Sequence, residues 1–252
     1  MLSKARYHKL FKEFLTYTDE KGHLAKGILR IIKPRKIWTF LDVGCGTGEI
    51  TVPIARRVSS TVAIDINGYV LDQAKKNARG LKSIKFVKAD WTKVKSLGKF
   101  DFVLSSHALY SSFFRGQLRA ALIKLVRHVK PGGYLLIIHF GTTGDVNKMI
   151  KKFSKKLQGT KITKQRVEQD DLYIKNMLKK MGYSPHIQKV STYIVTPSIE
   201  QSLFLTEWIL GVPYNKFTLE QQRDLLTFLK RRIKNGKVVI SGHHSFIWAK
   251  IK

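Results

Sequence analysis

The stretch LDVGCGTGEIT, Leu41–Thr51, concentrates residues that could do chemistry. Gly44, Gly46 and Gly48 alternate with other residues, Asp42 leads into them and Glu49 follows. A glycine turn between a strand and a helix lets the backbone approach a nucleotide-like ligand closely and aims N–H groups at it. A phosphate-binding P-loop would carry Lys-Ser/Thr after its last glycine, where Glu49 stands. The dinucleotide fingerprint spaces its glycines G-x-G-x-x-G, one residue wider. Acids beside a helix N-terminus repel pyrophosphate but accept hydrogen bonds from an ammonium group. The loop is therefore expected to take a cationic, phosphate-free, nucleoside-like ligand.

More chemistry follows at strand-end positions. Asp65 stands 17 residues after Gly48, where a carboxylate can take both hydroxyls of a ribose. Asp90 closes FVKAD beside Trp91, so a carboxylate could accept from an adenine amino group while a flat ring covers the base. Ser105-Ser106-His107 ends a fourth apolar run. His107 could deprotonate a hydroxyl or ammonium nucleophile, orient a substrate or cap the next helix. Tyr110 and His139 are further candidates for the substrate side. Cys45, the single cysteine, reads as a small residue in a tight loop and rules out an internal disulfide. His243-His244, with no third ligand, makes a poor metal site and is read as strand or turn surface; no metal is expected.

The elements that would position these groups are legible from periodicity. Strand-type runs at Trp38–Val43, Thr61–Ile66, Ile84–Ala89, Phe100–Ser105 and Tyr134–Phe140 alternate with helical patterns near Glu49–Val58, Gly68–Arg79 and Phe114–Val129. Such alternation predicts a parallel sheet with helices on both faces and ligands beyond the carboxyl ends of the strands. After Gly141 the pattern predicts helices at Asp145–Leu157, Val167–Met181, Ser198–Leu210 and Thr218–Lys234. The last opens on a capping box, Thr218 to Gln221, and closes on Gly236. Strands are expected at His186–Val195 and His243–Ile251.

Taken together, LDVGCGTGE, AIDIN (Ala63–Asn67), KADW (Lys88–Trp91), FDFVLSSHALY (Phe100–Tyr110) and VKPGGYLLI (Val129–Ile137) resemble the class I S-adenosylmethionine-dependent methyltransferases, in that family's order and spacing over about residues 38–140. The resemblance implies a three-layer α/β/α, Rossmann-like, seven-stranded sheet, mostly parallel with an antiparallel last strand. It implies S-adenosyl-L-methionine as methyl donor, S-adenosyl-L-homocysteine as product, and an in-line displacement that needs no metal. Asp42 and Gly44–Gly48 would surround the methionine part, Asp65 the ribose, and Asp90 and Trp91 the adenine. The full contact set is then Asp42, Gly44, Cys45, Gly46, Gly48, Asp65, Ile66, Asp90, Trp91 and Ser105. One domain over 1–252 is expected, with a helical lid at 1–37, the binding core at 38–140, a helical cap at 141–182 and 198–235, and last strands at 186–196 and 243–251.

Composition bounds the partners. The 252 residues carry 47 Lys/Arg against 17 Asp/Glu, a net charge of +30. The excess is spread along the chain, +17 over residues 1–140 and +13 over 141–252. Such a surface attracts RNA, DNA or acidic membranes. On the helix DVNKMIKKFSKKL, Lys148, Lys151, Lys152, Lys155 and Lys156 share one face, opposite Val146, Met149, Ile150, Phe153 and Leu157. That face is either a solvated cap or an anion-binding surface, and Lys230–Lys234 (KRRIK) is a second cluster open to the same two readings. No stretch is long and apolar enough to span a membrane and no signal-type segment opens the chain, so a cytoplasmic protein is expected. Helical caps around one sheet and a histidine after the fourth strand resemble the small-molecule branch of that family, which implies a small-molecule acceptor of the methyl group at nitrogen or oxygen. The charge keeps tRNA or rRNA as the alternative, and a non-catalytic binding protein is a third.

Overall fold

A computed structural model describes residues 4–109, 116–157 and 164–252 and, within these, every side chain but those at 4, 5, 7, 8, 154–157 and 164–169. The elements run α1 (Lys4–Tyr17), α2 (Glu20–Ile32), β1 (Thr39–Val43), α3 (Thr51–Ala55), β2 (Ser60–Asp65), α4 (Gly68–Asn77), β3 (Ile84–Lys88), β4 (Phe100–Ser106) and α5 (Leu118–Arg127). They continue as β5 (Val129–Gly144), α6 (Asp145–Leu157), α7 (Lys164–Lys180), β6 (His186–Thr196), α8 (Ile199–Leu210), α9 (Leu219–Lys230), β7 (Ile233–Lys234) and β8 (Lys237–Lys250).

The sheet has the order β3-β2-β1-β4-β5-β8-β6. The β1–β5 pairings are parallel, and the order steps outward from β1 first through β2 and β3, then through β4 and β5. This is the mostly parallel α/β sheet that the alternating pattern predicts. Seven strands make the continuous path, and the two-residue β7 pairs antiparallel with β8 beside it. Because β1 lies between β2 and β4, its residues Phe40–Val43 are all buried, which explains why its sequence is an apolar run broken only by Asp42. Phe40 pairs in register with Phe102 of β4, and the fully buried rings stack 5.0 Å apart. Each such ring contributes about 1.5–3 kcal/mol of transfer free energy.

The chain divides into two compact units. One comprises residues 21–140, 166–190 and 244–252. It contains two apolar clusters. Leu41, Val103, Leu122 and Ile174 belong to one, and Phe40, Ile54, Phe102 and Phe246 to the other. The second unit comprises residues 1–20, 141–165 and 191–243 and has its own core, with Phe14, Met149, Phe153, Leu205 and Leu225. There Phe14 stacks on Trp208 at 4.2 Å, and Arg6 bridges to the buried Glu207 at 2.5 Å.

The capping box at Thr218 is present in full: Gln221 N–H donates to Thr218 Oγ1 at 3.2 Å, and Thr218 N–H to Gln221 Oε1 at 2.9 Å. The helix it opens stops at Lys230 rather than Lys234. Gly236 does not end it. Asn235 and Gly236, with φ of 49° and 74°, form a two-residue turn that pairs Lys234 with Lys237, so β8 begins six residues earlier than expected. Asn-Gly favours the left-handed pair of conformations that a tight hairpin needs, and that local preference overrode the helical periodicity. The helix after Gly48 is also shorter, Thr51–Ala55, because Ser60 already belongs to β2. Among the described residues no helix is long and apolar enough to cross a membrane.

Candidate functional site

The glycine loop leaves β1 and is pinned to β2. The N–H groups of Gly44 and Cys45 both donate to Ile64 O, at 2.8 and 3.1 Å. Gly44 has φ of +75°, and a Cβ there would stand 2.6 Å from Ala108 Cβ, so any side chain is excluded twice over. At Gly48, with φ of +82°, a Cβ would press on Ala74 of α4 at 3.2 Å. Asp65 closes the loop from β2: Oδ2 accepts from Gly46 N–H at 3.0 Å and Oδ1 from Asn67 N–H at 2.8 Å. Glu49 accepts from the Thr47 hydroxyl, and Asn77 of α4 donates to Thr47 O at 2.9 Å. Asp65, from β2, and Glu49, after the last glycine, thus both hold the loop's shape.

Asp42 is 2% exposed and accepts from Thr51 Oγ1 at 2.6 Å. Burial pushes its carboxyl up to about 7. The Thr51 hydrogen bond works against that rise, the Asp65 charge adds to it, and the Lys21 charge lowers it. Cys45 is half-buried, and burial together with the Asp42 and Asp65 charges pushes its thiol pKa far up, so it is held as a thiol, a weak nucleophile.

A cavity of about 650 Å³ opens at the carboxyl ends of the strands. Of the residues singled out from sequence, Gly44, Asp65, Ile66, Asp90, Trp91 and His107 line it. Asp42, Cys45, Gly46 and Gly48 shape the loop and are not among the lining residues. Ser105 is fully buried in β4, in register with Val43 and Ile137, and does not line the cavity either. Its Oγ has no hydrogen-bond partner among the described residues. Asp90 Oδ1 accepts from Thr92 N–H at 3.0 Å and Thr92 Oγ1 at 2.6 Å, and the hydroxyl bond leads in holding the carboxyl below its ordinary value. Trp91 both belongs to the core, at 8% exposure, and lines the cavity.

His107 has a left-handed backbone, φ 56°, and its N–H donates to Ile138 O at 2.9 Å. Its ring stacks on Phe140 at 4.3 Å and meets His244 edge-on at 5.1 Å. Burial first, then the positive potential of Lys21, His244 and His139, holds its pKa well below the usual histidine value. The ring is therefore neutral at pH 7, able to accept a hydrogen bond or a proton but a weaker base than a free imidazole.

Two expectations need correction. His139 is fully buried: Nδ1 pairs with Asp171 Oδ1 at 2.8 Å and Nε2 with Leu109 O, so its ring ties β5 to α7 and to the segment after β4 instead of facing a substrate. His244 is 1% exposed, not surface, because it opens a run of four buried β8 residues, His244–Ile247, where both faces of the strand are covered. Tyr110 lies outside the described residues, as do the side chains of Lys155 and Lys156. On α6 the apolar face is as expected, with Met149 and Phe153 buried; Lys148 stands 3.8 Å from Asp145, Lys152 pairs with Asp224 at 3.0 Å and Lys151 is exposed.

Sequence reading missed Thr92, Gln117 and Lys124, which also line the cavity. Lys124 of α5 donates to Thr92 O and Val94 O, both at 2.6 Å, fixing the chain after Asp90. It also missed Lys21 of α2, whose charge acts on both Asp42 and His107. Nothing in a window of sequence links α2 or α5 to the glycine loop.

Residues 40–133 match the methyltransferase-domain family. The chain is 27% identical over 125 residues to a trans-aconitate 2-methyltransferase of Deinococcus radiodurans, covering 50% of this chain and 46% of that protein. It is 27% identical over 129 residues to nodulation protein S of Rhizobium tropici, covering 51% and 52%. The chain spans about half the length of these curated relatives. Among solved structures it resembles the N-methyltransferase NodS of Bradyrhizobium japonicum in complex with S-adenosyl-L-homocysteine, with a TM-score of 0.56 at 13% identity over 98% of both chains, a likeness of fold.

Proposed function

We propose, on the premise that residues 40–133 are a class I methyltransferase domain, that this protein transfers a methyl group from S-adenosyl-L-methionine to a nitrogen or oxygen of a small-molecule acceptor. The observation that carries the reading is one cavity lined by Gly44, Asp65, Asp90, Trp91 and His107. The groups around it fit such a donor. The loop carries no lysine or arginine that would meet a phosphate, and Gly44 leaves room that a Cβ would fill. Asp42 is a buried carboxyl whose ionised form a nearby ammonium would favour. Asp65 keeps lone pairs beyond those used by Gly46 and Asn67, and Asp90 Oδ2 is not engaged by Thr92 and meets only the exposed Lys93 at 3.8 Å.

The donor supplies a sulfonium-bound methyl as electrophile. The chain's own residues have three tasks. Gly44, Asp65 and Asp90 at the cavity wall hold the donor in one orientation, and Asp42 braces the loop from behind through Thr51. Trp91 and the apolar wall of Ala120 and Ala121 exclude water from the cavity. His107, neutral at pH 7, orients an acceptor hydroxyl or amine by hydrogen bonding and can take its proton as the bond forms. A small acceptor is favoured by the trans-aconitate 2-methyltransferase to which the chain is similar.

Calorimetry with S-adenosyl-L-homocysteine tests the donor. Wild type should bind one equivalent. Asp65→Ala should weaken binding by about 100-fold, the scale of losing two charge-assisted hydrogen bonds. No binding by wild type, or an unchanged affinity in the variant, would sink the reading.

A further inference from the structure

Two basic clusters far apart in sequence line one cavity within the unit of residues 1–20, 141–165 and 191–243. Its volume is about 620 Å³. Lys152 of α6 lies on one part of its wall, and Arg231, Arg232 and Lys234, which follow α9, lie on another. Against these four cations stand two acids, Asp145 and Asp224, leaving two positive charges unbalanced.

Both acids are already committed. Asp145 Oδ1 pairs with Arg232 at 2.7 Å, and its Oδ2 accepts from Ser241 N–H at 3.1 Å and Ser241 Oγ at 2.8 Å. Burial would raise the Asp145 carboxyl, but Arg232 and Ser241 outweigh it and hold it below its ordinary value. Asp224 pairs with Lys152 at 3.0 Å. Arg232 is locked as well: Nη1 donates to Phe228 O at 2.5 Å, and the guanidinium lies 3.3 Å from the Phe228 ring centroid. Its Nε–H is buried with no acceptor among the described residues. Arg231 and Lys234 are exposed at the cavity and make no side-chain hydrogen bond or ion pair among the described residues.

We infer that this cavity binds a compact dianion, a phosphate monoester by chemical class, through Arg231 and Lys234 beside the locked Arg232. A monoester phosphate carries between one and two charges at neutral pH, matching the two uncommitted cations, and its oxygens suit the planar fork of an arginine. A polynucleotide would instead need cations spaced along an open track. The site does not depend on the methyl-transfer reading.

The test is calorimetry of the full chain with inorganic phosphate and then phenyl phosphate at constant ionic strength. Saturable binding at one site is expected, together with a melting temperature raised by phosphate over chloride. The double variant Arg231→Gln, Lys234→Gln should lose at least about tenfold in affinity, the scale of one charge-assisted hydrogen bond. Lys151→Gln, on the same helix as Lys152, exposed and outside the cavity, should lose nothing. Three results overturn the inference: no saturable phosphate binding and no melting shift, equal losses in both variants, or a single-stranded oligonucleotide without terminal phosphates that displaces phenyl phosphate as well as phosphate does.

Discussion

Asp42 has a carboxyl buried to 2% exposure and only one side-chain hydrogen-bond donor among the described residues, Thr51. Its native pKa of about 7 lies above the unfolded value of 3.8, so between those limits the folded chain holds a proton that the unfolded chain has released. Its contribution to stability is therefore full below pH 3.8 and is lost as pH rises through about 7. Asp42→Asn keeps an acceptor for Thr51 and removes the ionisation. The variant should equal wild type near pH 4 and exceed it above pH 7 by at most about 4 kcal/mol, read from urea midpoints at stepped pH. A difference that stays constant with pH would show that Asp42 titrates normally. His107 runs the other way: its depressed pKa withholds a proton that the unfolded chain binds, so its contribution is present above pH 6.5 and lost as pH falls. The two effects separate because only Asp42 is altered in the comparison.

At the scale of elements, the glycine loop is specified position by position. Gly44→Ala meets both a left-handed backbone and Ala108, and should cost about 2–4 kcal/mol. Gly46→Ala meets only the backbone, since nothing lies within 4 Å of its Cβ, and should cost about 1 kcal/mol. Guanidinium unfolding of the two variants should separate them clearly; equal losses would mean that the Ala108 contact is relieved by a small shift. The Asn235-Gly236 hairpin makes a similar claim. Asn235→Ala places a residue ill-suited to φ 49° in the turn and should lower stability by about 1 kcal/mol in thermal unfolding. The same turn shows why element ends were the least legible part of the sequence. Periodicity over 218–234 favours a helix throughout, while a dipeptide beyond it decides where the chain folds back.

For the whole molecule, a charge of +30 and a cavity lined by carboxylates exert opposite attractions on any ligand. Binding of S-adenosyl-L-homocysteine involves few released counterions and should change little between about 50 and 200 mM salt, whereas binding of bulk tRNA should fall by orders of magnitude over that range. A gel shift with tRNA that persists at the higher salt would favour an RNA acceptor over a small one. The basic surface by itself predicts only the salt-sensitive kind of contact.

The alternating strands, the glycine spacing and the acids at strand ends determined the sheet and half of the cavity wall, because strand periodicity and tight-turn chemistry act over a few neighbouring residues. Asp65 and Asp90 were legible for that reason, although their intramolecular partners, Gly46, Asn67 and Thr92, were not. Only the tertiary structure decided that His139 is tied to Asp171, 32 residues away, that Lys124 fixes the chain after Asp90, and that Lys152 and Arg231–Lys234 line one cavity. Those contacts depend on which faces of distant elements pack together, and no local pattern encodes that. Leu41–Thr51 carries acids where a phosphate loop carries a lysine, and that contrast was readable residue by residue. The protonation of Asp42 was not, because burial sets it and burial belongs to the folded chain.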